Sequence, residues 1–133
     1  MSDLALAVFA SETGTHLIRP PKGARWAAHM RALGQSVQTT LDDERMGSTD
    51  MGNVSQILPS IHPYIGIAPE GTAGHSTAFR DAAATPVAHE NALFAAKALA
   101  LVAIDALTDP ALIERARADF EERRKQGVVK GKA

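Results

Sequence analysis

The sequence predicts an α/β fold, a partial sheet layer followed by two C-terminal helices. Three observations predict it. The apolar run from Ile61 to Ala68 is bounded by proline and glycine residues, as strands are. An alanine-rich stretch begins at Thr85-Pro86, and a second helical pattern begins at Asp109-Pro110. Each pair places a capping side chain before a proline at the first helical position, which marks a helix start.

The composition limits the classes of protein to consider. A chain of 133 residues fits one domain, and 45% hydrophobic residues with only 5% aromatic ones indicate an aliphatic, alanine-rich core. The 14 basic and 15 acidic residues give a net charge of -1, which offers no basic patch for a nucleic acid. Because there is no cysteine, disulfides and thiolate zinc sites are excluded. Any metal would need His, Asp or Glu ligands.

The most apolar stretch, Ala92 to Leu107, indicates a buried helix rather than a membrane span. It contains Lys97 and Asp105, and it is shorter than the roughly 20 residues that a span requires. The apolar start, Leu4 to Phe9, lacks the positive charge of a secretory signal. We therefore expect a soluble, cytoplasmic protein that has neither a membrane nor a nucleic acid as its partner.

Residues 1–25 form a poorly specified lead-in. The apolar residues from Leu4 to Phe9 could form a short strand or a fraying helix. From His16 to Gly23 the chain contains Pro20-Pro21, which breaks regular structure. We expect an irregular segment here, with His16 at the surface.

A helix is predicted from Ala24 to Leu33, because apolar residues recur there at helical spacing and Gly34 is a natural stop. The polar segment from Gln35 to Arg45 is expected to be a solvated loop. The next short segment, Val54 to Leu58, could be a strand or a turn of helix, and five residues do not decide between them.

The predicted strand Ile61 to Ala68 contains Pro63, which favours an edge position or the first position of a strand. His62 could face a cleft or be a strand-edge histidine bonded to backbone. A glycine-bounded loop then presents His75. Because rigid elements position functional loops, such a histidine is a candidate ligand or acid/base, although a loop histidine is more often simply solvated.

The long helix should run from Thr85 to about Leu107 and be buried against the sheet, because all its faces are largely apolar. Its main apolar face comprises Ala95, Ala98, Leu99, Val102, Ala103 and Leu107. The last helix carries the apolar stripe Leu112, Ile113, Ala116 and Phe120. It should end at Gly127, and residues 127–133 form a basic tail.

Three segments, taken in their order, carry a resemblance to a known family. They are GSTDMGNVS at Gly47 to Ser55, PSIHP at Pro59 to Pro63 and HSTAF at His75 to Phe79, and the alanine-rich helix follows them. Together they resemble the C-terminal end of the catalytic domain of the metal-dependent amidohydrolases related to aminoacylase and p-aminobenzoyl-glutamate hydrolase. This is the M-twenty metallopeptidase family. The resemblance covers roughly Trp26 to Phe120, and we assign residues 26–126 to this part of the catalytic domain.

The resemblance implies a fragment of a larger zinc-peptidase-like catalytic domain. It implies hydrolysis of amide bonds in N-acyl amino acids or dipeptide-like substrates, with a divalent metal, zinc or manganese, as the cofactor. His75 stands where the family has the last ligand of a two-metal site, which activates water and polarises the amide carbonyl. Asp50 stands in a segment that lines the active site, where it would orient a ligand or substrate. On residue type alone, Ser48-Thr49-Asp50 is most often a turn or a helix cap.

The family's other ligand segment and its catalytic glutamates do not occur in Met1 to Gly47. A catalytic zinc site needs about three protein ligands, and only His75 has a strong claim here. We therefore expect the C-terminal portion of an amidohydrolase, inactive alone, whose partner is a missing upstream half. The alternative is a non-catalytic remnant that acts as an oligomerising or interaction module, such as a homo-oligomer, without dependence on His75.

Overall fold

The computed structural model describes residues 5–6, 9–11, 16–18, 23–39 and 51–125. Within these ranges the chain forms six short strands and five helices. The strands are β1 (Ala5–Leu6), β2 (Phe9–Ser11), β3 (His16–Ile18), β4 (Val37–Thr39), β5 (Ser60–Ile61) and β6 (Tyr64–Gly66). The helices are α1 (Ala24–Ala32), α2 (Met51–Val54), α3 (Thr77–Ala83), α4 (Pro86–Thr108) and α5 (Pro110–Lys125).

Four of the strands form a mixed sheet in the order β2-β6-β3-β4. β2 runs parallel to β6, β6 is antiparallel to β3, and β3 is parallel to β4. Parallel neighbours require a crossover connection, and α1 supplies it between β3 and β4. The remaining strands, β1 and β5, form a separate parallel pair in which Ala5 faces Ser60.

The strand predicted from Ile61 to Ala68 is confirmed only in part: Tyr64–Gly66 forms β6, whereas Ile61 belongs to the separate strand β5. The strand is interrupted at His62 and Pro63. Before the interruption β5 pairs with β1, and after it β6 pairs with β2 in the mixed sheet. Proline has no backbone N–H to donate to a ladder, which explains why pairing stops there. The Pro63 ring itself is fully buried, so it also fixes the junction by packing.

Two segments predicted to lack regular structure contain strands. His16–Ile18 is β3, within the segment predicted to be irregular, and Val37–Thr39 is β4, within the predicted solvated loop. The two pair with each other, and Val37 is only 8% exposed. A strand of three residues gains its stability from a partner that is distant in sequence, so local composition does not reveal it.

The alternatives left open by the sequence are decided by the structure. Val54, the first residue of the segment from Val54 to Leu58, is the last residue of the short helix α2. The rest of that segment is neither helix nor strand. Strands lie at Ala5–Leu6 and Phe9–Ser11, where a strand or a fraying helix was predicted.

Helix α1 confirms the predicted helix to within one residue, and Gly34 follows its end. Gly34 has a φ of 83°, in the left-handed region that favours glycine. Its N–H donates to the Arg31 carbonyl at 2.9 Å, and the Gln35 N–H donates to the Met30 carbonyl at 2.9 Å. These two bonds satisfy carbonyls that the end of the helix would otherwise leave open.

Replacing Gly34 with alanine should lower the free energy of unfolding by about 1–2 kcal/mol, the cost of a left-handed conformation for an L-residue. The cost is conformational, because a Cβ at this position would meet no atom within 4 Å. Urea unfolding followed by circular dichroism measures it. Gly34→Asn is the control and should lose less, since asparagine tolerates this region. An alanine variant as stable as the native chain would contradict the prediction.

The core lies between α1, α4 and the strands. Its buried members are Trp26, Ala27, Met30, Val37, Ile61, Ile65, Ala95, Ala98 and Val102. Helix α1 packs against α4, which presents mainly small side chains to it. A side-chain bond also ties α4 to the sheet, because Asn91 Nδ2 donates to the Gly66 carbonyl at 2.7 Å.

Both predicted C-terminal helices are confirmed, together with their starts. Thr85 Oγ1 accepts the Ala88 N–H at 3.3 Å, with Pro86 at the first helical position. Asp109 Oδ1 accepts the Leu112 N–H at 3.3 Å at the start of α5. Local capping chemistry therefore sets where these helices begin.

One face of α4 packs against α1 and the strands, as the predicted burial against a sheet requires, but its outer face is exposed. Leu93, Ile104 and Leu107 are 62%, 53% and 75% exposed, although Leu107 was predicted to lie on the buried face. The helix has 23 residues and is long and apolar enough, by length and composition alone, to cross a membrane. Core helices pass the same test, and in this chain α1 covers one face of α4.

Candidate functional site

His75 lies in an exposed turn between β6 and α3, as the glycine-bounded loop predicted. Its backbone φ is 56°, the left-handed conformation. Among the described residues other than glycine, it alone has a positive φ. Histidine adopts this conformation more readily than most residues, but it remains uncommon for any side chain other than that of glycine.

Short-range hydrogen bonds fix the turn on both sides of His75. Ser76 caps α3: its Oγ accepts the Phe79 N–H at 3.1 Å and donates to the Ala73 carbonyl at 2.6 Å. Upstream, Thr72 Oγ1 donates to the Pro69 carbonyl at 2.7 Å. The strained residue therefore sits between two braced segments, which is the condition under which backbone strain persists.

Helix α3 was not predicted from the sequence. The signal was present in Ser76, a preferred N-cap residue whose side chain reaches the N–H three residues later. The helix has 7 residues and contains no buried side chain, so it lacks the apolar periodicity that reveals longer helices. Its first turn fixes Ser76, the residue after His75, because the Phe79 N–H donates to the Ser76 hydroxyl oxygen.

The described residues do not form a complete metal site. Within residues 23–39 and 51–125, no three His, Asp or Glu side chains come together in a way that could hold a metal ion. A catalytic zinc takes about three protein ligands, so the described residues do not complete such a site, and His75 could be at most one member of a larger ligand set. Asp50, the other predicted site residue, lies outside the described residues, as does the rest of Ser48-Thr49-Asp50.

His62 occupies the junction between β5 and β6. Its ring stacks on Tyr64, with centroids 5.0 Å apart and planes 23° from parallel. Burial lowers the pKa of His62 below its ordinary value of 6.5, because desolvation disfavours the charged ring. The side chain is half-buried. It is therefore an interior element of the sheet junction, held by an aromatic neighbour.

The lowered pKa of His62 predicts that stability falls as the pH drops below about 6.5. The unfolded chain then binds a proton that the folded chain resists, so the free energy of unfolding rises with pH through this window. Thermal unfolding at pH 7.5 and at pH 5.5 measures the difference. His62→Phe keeps an aromatic ring that can stack on Tyr64 and removes the titrating group. The stability that this variant loses between pH 7.5 and pH 5.5 should therefore be smaller than the loss of the native chain. An identical pH dependence in both proteins would contradict the prediction.

A charge cluster that no sequence pattern predicted links α1 to the C-terminal helices. His29 Nε2 lies 2.8 Å from Asp105 Oδ2, and Arg25 Nη1 lies 3.5 Å from the same oxygen. Arg25 and Arg115 each approach Asp109 Oδ2 at 3.5 Å. His29 and Asp105 are 76 residues apart, so no local spacing reveals the pair. The cluster holds α1 on α4 and takes no part in the His75 turn.

A groove of about 340 Å³ lies between the start of α1, β5 and the helices α4 and α5. Its walls are mostly apolar, and Arg25, Arg115 and Asp119 supply its charged groups. The two arginines already pair with Asp109. No residue of the His75 turn lines it, so it is a feature of helix packing and separate from the candidate site.

The described strands and helices place His75 in an exposed turn directly before α3. No family model matches the chain. It is similar to the Xaa-Arg dipeptidase of Homo sapiens, at 38% identity over 106 residues, 76% of this chain and 24% of that protein. It is also similar to the Xaa-Arg dipeptidase of Mus musculus, at 43% identity over 75 residues, 56% of this chain and 17% of that protein.

The chain thus spans about a quarter or less of the length of the curated relatives that it matches. The similarity supports a relation to metal-dependent peptidases of the M-twenty kind. Both relatives are named as dipeptidases. The finer resemblance to aminoacylase and p-aminobenzoyl-glutamate hydrolase is not supported by them.

Proposed function

We propose that this chain is the C-terminal portion of the catalytic domain of a metal-dependent, dipeptidase-like hydrolase, to which it contributes His75 as a metal ligand. The observation that carries the proposal is the left-handed, braced and exposed His75 turn. The similarity to two Xaa-Arg dipeptidases over most of the chain supports the class of enzyme and a dipeptide-like substrate.

The left-handed backbone of His75 supports a functional role, because a glycine at this position would remove the strain. A left-handed residue costs on the order of 1–3 kcal/mol when it is not glycine, and such residues cluster at active sites and ligand clamps. Glycine occupies the left-handed position at Gly71 in the same loop, and Gly74 is the immediate neighbour of His75. The imidazole therefore stands at a position of the loop where a side chain costs free energy. A chemical use of the ring accounts for this placement.

A single imidazole can supply one ligand of a metal site. His75 would hold the metal through a ring nitrogen, and its braced backbone would fix where that nitrogen stands. The remaining ligands and a general base would come from sequence outside the described residues. The metal would supply Lewis-acid polarisation of the amide carbonyl and a nucleophilic water. Asp50 would orient a ligand or the substrate, a role in which outer partners fix ligand geometry.

A chimera tests this proposal. Residues 23–125 would replace the segment of the human Xaa-Arg dipeptidase to which they align. The chimera should hydrolyse Xaa-Arg dipeptides, and the same chimera with His75→Gly should be folded and inactive. Glycine accepts the left-handed backbone without strain, so this variant removes the imidazole and keeps the turn. A folded, inactive chimera, or an active His75→Gly chimera, would contradict the proposal.

The second candidate, a non-catalytic interaction module, is favoured by a different observation. The outer face of α4 exposes large apolar side chains. Soluble monomers rarely keep large contiguous apolar patches in water.

A further inference from the structure

Asn91 is a polar residue on the inner, apolar face of α4. It lies three positions after Ala88 and four before Ala95, both of which are buried, so the three residues share one side of the helix. The buried residues of α4 are four alanines and one valine. Asparagine is disfavoured within a helix, because its side chain competes with the backbone for hydrogen bonds. An asparagine on this face therefore requires a specific partner.

The partner of Asn91 is the end of the strand that leads to His75. Asn91 Nδ2 donates to the Gly66 carbonyl at 2.7 Å, across 25 positions of sequence. Gly66 is the last residue of β6, and it pairs with Ser11, the last residue of the parallel strand β2. The carboxyl ends of these two strands therefore meet at one edge of the sheet. Ligand sites in open α/β sheets lie outside such an edge.

The chain between Gly66 and His75 is held by successive contacts. Ile67 packs against the core. In the turn that follows, both the N–H and the hydroxyl of Thr72 donate to the Pro69 carbonyl, at 3.2 and 2.7 Å. The capping hydroxyl after His75 donates to the carbonyl two residues before it. A displacement at the end of β6 is therefore passed along these contacts to His75.

The segment that carries His75 is joined to α4 at both ends. At its far end Thr85 Oγ1 donates to the Ala82 carbonyl in the last turn of α3, at 2.8 Å, and also caps α4. This attachment is local, because α4 follows α3 directly in the chain. At the near end, the bond between Asn91 and the Gly66 carbonyl depends on one side chain that is distant in sequence.

We propose that Asn91 is a positioning residue for His75, an inference that rests on the proposed role of His75 as a metal ligand. The Asn91 amide fixes the end of β6 on α4, and the braced turn transmits that position to the imidazole. Asn91 acts through the backbone and supplies no ligand itself. Replacing a residue that supports a ligand typically weakens metal binding by about 10–100-fold, and we expect a loss in this range.

Zinc titration of the metal-free dipeptidase chimera in two backgrounds tests this role. Asn91→Leu keeps a side chain that branches at the same carbon, removes the amide donor and suits the apolar inner face. It should weaken zinc binding by about 10–100-fold in the parent chimera. In the His75→Gly chimera the same change should have no further effect, because the ligand that Asn91 positions is gone. Such non-additivity identifies residues that act together.

Two further variants separate positioning from packing. Asn91→Ala also removes the donor, and it matches the alanines of the inner face; it should weaken zinc binding as Asn91→Leu does. Thr108→Val is the matched control, since it removes the bond from Thr108 Oγ1 to the Ile104 carbonyl, 2.8 Å long, at the other end of α4. This variant should bind zinc as the parent does. Circular dichroism before each titration checks that the helix content is unchanged.

The possible outcomes distinguish the role of Asn91 from that of His75. Unchanged zinc affinity in His75→Gly would overturn the ligand role, and the positioning role with it. Weaker binding in His75→Gly, with parent affinity in both Asn91 variants, would overturn the positioning role alone. Equal weakening by Asn91→Leu in the parent and in the His75→Gly chimera would also overturn it, because Asn91 would then act by a route that does not include His75.

Discussion

Replacing Trp26 with alanine is expected to lower the free energy of unfolding by about 3–5 kcal/mol. Trp26 is 0% exposed, and it belongs to the core cluster formed by α1, α4 and the strands. The buried residues that α4 contributes to this core are two alanines and a valine, so this helix has few long buried side chains that could move into the space. Since small domains have only about 5–15 kcal/mol of stability in total, this loss should remove a large share of the chain's stability and shift its unfolding to a much lower urea concentration.

Urea unfolding followed by far-ultraviolet circular dichroism is the measurement, since the variant loses the single tryptophan. Trp26→Phe is the control. Among the described residues Trp26 Nε1 has no hydrogen-bond partner, and a buried donor without a partner costs free energy. Phenylalanine removes that donor, so its loss of stability should be clearly smaller than that of alanine. Unfolding of Trp26→Ala at the same urea concentration as the native chain would refute the core assignment.

Replacing Asp105 with alanine should lower the free energy of unfolding by about 1.5–3 kcal/mol, the range for hydrogen bonds to charged groups. The Asp105 and His29 side chains are only 23% and 21% exposed, so water screens their contact weakly. The alanine variant would leave both His29 and Arg25 without this carboxylate. Thermal unfolding at constant pH measures the loss.

Two controls separate this contact from surface charge in general. Asp105→Asn keeps an oxygen acceptor at the same place and should lose less than Asp105→Ala. Arg80→Ala breaks the Arg80–Asp81 pair, whose side chains are 72% and 66% exposed, and should cost less than about 1 kcal/mol. Equal losses in Asp105→Ala and Arg80→Ala would show that Asp105 contributes no more than a surface charge.

Elements that depend on local chemistry were predictable from the sequence. The starts of α4 and α5 follow from capping side chains before proline, and α1 follows from apolar spacing and Gly34. Strands β3 and β4 were not predictable, because their pairing joins segments about 20 residues apart and each strand has 3 residues. The burial of α4 was predictable only in part, since a helix that is apolar all round does not reveal which face its neighbours leave uncovered.

The candidate site was likewise predictable from the sequence only where it depends on local residues. Flanking glycines predicted the exposed turn of His75, but no sequence rule gave its left-handed backbone. The contact between His29 and Asp105 is set by how α1 lies on α4, and therefore by the tertiary structure. The role of Asp50 stays a prediction, because that residue lies outside the described residues.

The proposed role of His75 as a metal ligand is tested most directly by the metal affinity of the dipeptidase chimera. Titration of the metal-free chimera with zinc should show that His75→Gly weakens binding by more than about 100-fold, beyond the 10–100-fold typical of residues that only support a ligand. His89→Gly is the matched control: His89 is also exposed and should leave the affinity unchanged. Equal zinc affinity in the His75→Gly, His89→Gly and parent chimeras would contradict the claim.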